Sequence, residues 1–147
     1  MSQAAKEILI VEDNPNDLEL TLRVLKQHNL ANRIEVVRDG AEALEFVFHT
    51  GAYADRDPDS KPTVILLDIK LPKVDGLEVL RQIKSDERTK SIPVVLLTSS
   101  REERDIMQGY ELGTNSYIVK PVDFEQFVES IRQLGVYWLV LNEPPVT

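Results

Sequence analysis

The chain has 147 residues, 42% hydrophobic and 29% charged, a composition that suits one globular domain with a sizeable core. A net charge of -8 without a basic cluster argues against nucleic acid or an anionic membrane face as a partner. The absence of cysteine excludes disulfides, thiol catalysis and Cys-based metal sites. No stretch approaches the roughly 20 apolar residues of a membrane span. The first residues lack the apolar region of a signal peptide, so a cytoplasmic protein is expected.

Ile8-Leu9-Ile10-Val11 is an unbroken apolar run closed by Glu12-Asp13, and it reads as a strand buried on both faces. Asn14 can cap the next helix and Pro15 can begin it, with Leu18, Leu22 and Leu25 as its apolar stripe. Arg33-Ile34-Glu35-Val36-Val37 alternates polar with apolar residues, as an edge strand does. Asp39-Gly40 breaks the chain before a second helix marked by Ala43, Leu44, Val47 and Phe48. His49 to Pro62 has no periodicity, contains Asp55, Asp57 and Asp59, and is expected to be an exposed loop.

Val64-Ile65-Leu66-Leu67 is a second fully apolar run, and it ends in Asp68. Asp75-Gly76 begins a third helix carrying Leu77, Leu80 and Ile83. Val94-Val95-Leu96-Leu97 follows Pro93 and closes with Thr98; a fourth helix is expected over roughly Glu102 to Leu112, with Gly113 as its stop. Ser116 to Val119 forms a short last strand, followed by Lys120-Pro121. Asp123 then caps a final helix with Phe127, Val128, Ile131 and Leu134 on one face.

Strands and helices alternate five times, which predicts an α/β domain with a doubly wound, five-stranded parallel sheet of order 2-1-3-4-5. The fully apolar strands should be central and those near Ile34 and Tyr117 should be edges. A single domain without linker or repeat is expected.

In such sheets ligands bind beyond the carboxyl ends of the strands, where the winding reverses. Reading only those ends collects Glu12, Asp13, Asp68, Thr98 and Lys120, spread over more than 100 residues. Each alone has an ordinary explanation. Asp68 could cap or pair, Glu12 and Asp13 could favour a helix N-terminus, Thr98 could simply end its strand, and Lys120 could be solvated. Together they are harder to dismiss. Crowded acids ionise cheaply only beside a cation. Mg²⁺ uses one or two carboxylates plus waters and phosphate oxygens, Lys120 offers a point charge and Thr98 a hydroxyl. That inventory suits phosphoryl transfer, with an aspartate as nucleophile.

The Glu12-Asp13 pair, Asp68 with Leu71-Pro72 and Asp75-Gly76, Thr98-Ser99 and Lys120-Pro121 together resemble the receiver domain of two-component response regulators. The resemblance covers nearly the whole chain and implies a flavodoxin-like receiver fold. It implies that Asp68 accepts phosphate from a phosphohistidine on a sensor histidine kinase, and that Mg²⁺ (or Mn²⁺) is the cofactor. Asp13, Asp68 and the Lys70 carbonyl would ligate the metal, with Glu12 acting through water. Lys120 would pair with the phosphoryl group. Thr98 would move to hydrogen-bond it, and Tyr117 would be the aromatic that turns inward with Thr98. The Lys120-Pro121 bond is expected to be cis. Lys70, two residues after Asp68, is expected to tune the lifetime of the phosphoryl group through its charge.

The long acidic loop and the closing Tyr137-Trp138-Leu139 are similar to the single-domain regulators paired with phytochromes, which makes a phytochrome the candidate kinase. No output domain is expected; phosphorylation would switch a surface on the fourth helix, fifth strand and fifth helix. Six consecutive apolar residues from Val136 to Leu141 do not all face a core from one helix. They either fold back on the domain or cover a partner, and a homodimer involving Tyr110, Tyr137 and Trp138 is the expectation. A signalling protein, not an enzyme turning over a metabolite, follows. Two rivals are weaker. An aspartyl phosphohydrolase resembles Asp-x-Asp where this chain has Asp68-Ile69-Lys70, and a flavin or nucleotide carrier lacks a Gly-rich phosphate loop here.

Overall fold

In a computed structural model of the chain, residues 7–28, 33–99, 103–114 and 116–134 are described. Five strands, β1 (Glu7–Val11), β2 (Arg33–Val37), β3 (Val64–Asp68), β4 (Val94–Thr98) and β5 (Ser116–Val119), alternate with five helices. The helices are α1 (Pro15–Gln27), α2 (Gly40–Phe48), α3 (Gly76–Ser85), α4 (Glu103–Glu111) and α5 (Phe124–Gln133). All strands are parallel, in the order β2-β1-β3-β4-β5 predicted from the alternation. Every residue of β1, β3 and β4 is buried, whereas β2 and β5 keep exposed positions, as edge strands do.

The continuous apolar runs divide between two cores by the two-residue period of a strand. Ile8, Ile10, Leu66, Val95 and Leu97 face α1 and α5, packing on Leu18, Leu25, Phe127 and Ile131. Leu9, Val11, Ile65, Leu67, Val94 and Leu96 face the other way, onto Phe46 and Val47 of α2 and Leu80 and Ile83 of α3. Covering both faces removes the need for polar alternation, which is why these strands read as unbroken apolar runs.

Local chemistry sets the helix starts as expected. Asn14 Oδ1 accepts the N–H groups of Asn16 and Asp17, with Pro15 at the first helical position. Asp39 and Asp123 cap α2 and α5 through Glu42 and Gln126. Asp75 stands at the N-cap of α3, but its side chain makes no capping hydrogen bond.

The segment from His49 to Pro62 is a largely exposed loop, as expected, with two features the sequence did not announce. It contains a short 3-10 turn, Gly51–Tyr53, and it is anchored by Arg56. The Arg56 guanidinium stacks 3.6 Å from the Phe46 ring centroid and donates to the Phe46 carbonyl at 2.6 Å, Glu7 Oε1 at 3.3 Å and Ser60 Oγ at 3.3 Å. Glu7 opens β1 and is buried; Arg33 is its second cation, at 3.6 Å. Burial pushes the Glu7 carboxyl up from its ordinary value, against the pull of Arg56 and then Arg33.

Arg56→Ala strips the Phe46 carbonyl and leaves Glu7 with one exposed partner, so it should destabilise the fold by about 2–3 kcal/mol at neutral pH. Because the folded pKa of Glu7 lies above the unfolded one, this part of the stability is intact below about pH 4.5 and is lost as pH rises through the folded value. Losing Arg56 moves that value further up. Urea unfolding at pH 4.5 and pH 8 should show the larger gap between wild type and variant at pH 8; an equal gap at both would deny Glu7 this role.

Candidate functional site

Register brings the strand ends into one row. Val11 pairs with Val37 and Leu67, Asp68 with Leu97, and Thr98 with Val119, so Glu12, Asp68, Thr98 and Lys120 emerge side by side. Backbone bonds hold the row together: Glu12 N–H donates to Val37, Ile69 N–H to Leu97, and Lys120 N–H to Thr98 at 2.7 Å. The Lys120-Pro121 bond is cis, as the resemblance implied.

Glu12, Asp68 and Thr98 are buried, and Asp13 is exposed. One carboxylate oxygen from each of Glu12, Asp13 and Asp68 lies within 4.8 Å of the other two. Lys120 Nζ donates to Asp68 Oδ2 at 3.0 Å and to Asp17 Oδ2 at 3.1 Å, and forms an ion pair with Glu12 Oε1 at 2.8 Å. The Glu12 contact is off-line, so this buried oxygen has the ion pair but no aligned donor. Lys70 is exposed, and its backbone N–H donates to Asp68 Oδ1 at 3.2 Å.

The electrostatics show a site short of positive charge. Burial, and next the neighbouring Asp68, push the Glu12 carboxyl up to about 7; Lys120 opposes both without cancelling them. Burial by itself would lower the pKa of Lys120, but its ion pair with Glu12 and its hydrogen bond to Asp68 outweigh it and hold the ammonium above the usual lysine value. A trio of carboxylates, one of them raised toward neutrality by its burial and its neighbour and carrying an oxygen without an aligned donor, is a donor set that fits a hard divalent cation.

The structure therefore gathers Glu12, Asp13, Asp68, Thr98, Lys70 and Lys120 at one rim. Tyr117 stands on β5 with 36% of its surface exposed, and its ring meets that of Tyr110 edge-on at 6.3 Å between centroids. Tyr137 and Trp138 lie outside the described residues. Asp17 was missed by reading strand ends alone, because it sits in the first turn of α1; an acid one turn after Asp13 on a capped helix start was its signal.

A five-stranded doubly wound sheet with acids at the ends of its first and third strands, a hydroxyl at the end of the fourth and a lysine at the end of the fifth is the architecture of a receiver. The chain belongs to the response regulator receiver domain family, whose profile it matches over residues 8–132. It is similar to the bacteriophytochrome response regulator AtBRR, at 55% identity and a TM-score of 0.87 over 96% of this chain and 100% of that one. It is similar to response regulator Rcp1 of Synechocystis sp., at 38% identity over 138 residues, 94% of this chain and 92% of that protein. The Mn²⁺-bound form of Rcp1 aligns at 36% identity over 97% of this chain and 99% of that one, with a TM-score of 0.75. The phosphorylated cyanobacterial phytochrome response regulator RcpA is 41% identical over 92% of this chain and 95% of that one, with a TM-score of 0.76. The chain is thus a receiver-domain signalling protein related to the phytochrome-associated regulators. No helix among the described residues is long and apolar enough to cross a membrane.

Proposed function

We propose that this chain is a response-regulator receiver that takes a phosphoryl group onto Asp68 from a sensor histidine kinase. The observation that carries the reading is the contact of Lys120 Nζ with Asp68 Oδ2 at 3.0 Å inside the acidic trio. A carboxylate, a cation aimed at it and a metal-compatible cluster are the parts that phosphoryl transfer to an aspartate needs. The phosphorylated form of the relative RcpA and the Mn²⁺-bound form of the relative Rcp1 support the same chemistry.

Asp13, Asp68 and the Lys70 carbonyl would hold Mg²⁺, with Glu12 acting through a water; when bound, the ion supplies charge for the phosphoryl oxygens. An Asp68 carboxylate oxygen attacks phosphorus, and the P–N bond to the donor imidazole breaks with its electron pair leaving on nitrogen. The product is an acyl phosphate whose new charge faces the Lys120 ammonium. Thr98 would then hydrogen-bond the phosphoryl group and Tyr117, exposed here, would turn inward. That biases the surface of α4, β5 and α5 around Tyr110 toward one of two states. A homodimer through this surface and Tyr137-Trp138, a phytochrome as kinase and a cytoplasmic location complete the proposal. The acidic chain favours neither nucleic acid nor membrane as a partner.

The test uses acetyl phosphate, in which the P–O bond breaks and acetate leaves. With Mg²⁺, intact mass should show one added phosphoryl group in the wild type and none in Asp68→Asn. A phosphoryl group on both proteins, or on neither, defeats the proposal.

A further inference from the structure

Of the three carboxylates around Lys120, two belong to the acidic trio and one does not. Asp17 lies outside it, with its side chain 31% exposed beside a lysine that is 9% exposed. Its backbone is placed without help from Lys120. Asn14 Oδ1 accepts its N–H at 3.0 Å, and Thr21 Oγ1 donates to its carbonyl at 3.0 Å, so the capped first turn of α1 presents it to the rim. The contact ties α1 to the end of β5 across 103 residues of chain.

We infer, resting on the phosphoacceptor reading of Asp68, that Asp17 is a positioning residue for Lys120. Asp68 would share its lone pairs with a metal when one is held, and Glu12 would share its own with a water on that metal. Phosphorylation also turns one Asp68 oxygen into the bridging oxygen of an acyl phosphate, a poorer acceptor than a carboxylate. Both events would draw carboxylate acceptors away from Lys120 on that side, where the phosphoryl group would become its new partner. Among the described residues, Asp17 is the only carboxylate contact of Lys120 that neither event engages. A lysine stem carries much rotamer freedom. An anchor in place before the phosphoryl group arrives removes that ordering from the reacting step.

The test is the initial rate of phosphoryl uptake from acetyl phosphate at fixed Mg²⁺, followed by intact mass on the full chain. Asp17→Ala should slow uptake roughly threefold to fivefold, the rate equivalent of a part-exposed ion pair. Asp17→Glu should recover most of that rate, and Mg²⁺ affinity by calorimetry should change less than about twofold, since Asp17 is not a ligand. In a Lys120→Met background, followed over a longer time course, adding Asp17→Ala should slow uptake no further. An equal loss in both backgrounds, or full speed in Asp17→Ala, overturns the role of Asp17 and leaves the phosphoacceptor reading standing. A wild type that takes up no phosphoryl group overturns both.

Discussion

Lys120→Met is expected to make the fold depend on a divalent cation and to slow phosphoryl uptake on the order of a hundredfold. The ammonium is the one cation in contact with Glu12 and Asp68 among the described residues, and those side chains are 0% and 7% exposed. Methionine keeps the length and apolar stem of lysine, so the change is mostly one of charge. Removing one partner of a buried ion pair costs about 3–5 kcal/mol because the remaining charge has no solvent to turn to. Here the lower end applies, since Glu12 already sits near neutral pH and can take up a proton. A loss of about 3 kcal/mol lowers the melting temperature of a domain this size by roughly 10 °C.

The sign with pH is defined. The Lys120 pKa is raised in the fold, so its stabilising contribution is whole below the unfolded value near 10.5 and is lost only as pH climbs through the folded one. Measurements near neutrality therefore compare the variant with a fully charged Lys120. Mg²⁺ at a hundred times its dissociation constant should restore about 2.7 kcal/mol. Calorimetric melting of both proteins in a chelator and in Mg²⁺ checks this. A variant that melts with the wild type in the chelator would mean that the acids do not need Lys120.

Those acids were legible in the sequence because the sheet does the gathering. Once Ile8–Val11, Val64–Leu67 and Val94–Leu97 are read as buried strands, winding rules place their final residues together without any knowledge of side-chain contacts. The same apolar runs disclose both cores, since alternate residues must face opposite layers. Two features stayed hidden. Asp17 projects from a helix turn, where its acid is indistinguishable by type from one that merely favours the helix N-terminus. Glu7 and Arg56 meet across 49 residues of chain, and an aperiodic loop gives no local sign that one of its arginines lies under an aromatic ring. The acidic residues around Arg56 suggested a solvated loop, and they are compatible with one anchored side chain among them.

The coupling of fold to site is sharpest at Gly76. A Cβ there would meet the Asp68 carbonyl oxygen at 2.1 Å, the Ile69 oxygen at 2.6 Å and the Ile69 Cα at 2.8 Å. These are backbone atoms of the segment that carries Asp68, and Gly76 N–H donates to that same Ile69 oxygen at 2.9 Å. Ile69 itself is 4% exposed, packed in the second core, so the segment has little room to retreat. Gly76→Ala must therefore either open the loop after β3 or shift the start of α3. Overpacking a core side chain typically costs about 1–3 kcal/mol, and a clash with backbone should reach or exceed the upper end. The opened loop should also weaken Mg²⁺ binding by about tenfold, the equivalent of roughly 1.4 kcal/mol. Gly109→Ala is the control. The nearest atom to its added Cβ is Leu96 Cδ1 at 2.2 Å and the next is 3.7 Å away, so one terminal methyl has to turn. Replacing a glycine inside a helix also returns about 1 kcal/mol. Gly109→Ala should consequently unfold in urea within about 1 kcal/mol of the wild type, while Gly76→Ala loses several times that and its metal affinity together. Equal behaviour of the two variants would mean that the Asp68 loop yields as readily as a leucine methyl, and the tight packing of α3 against the segment after β3 would then not be what holds Asp68 in place.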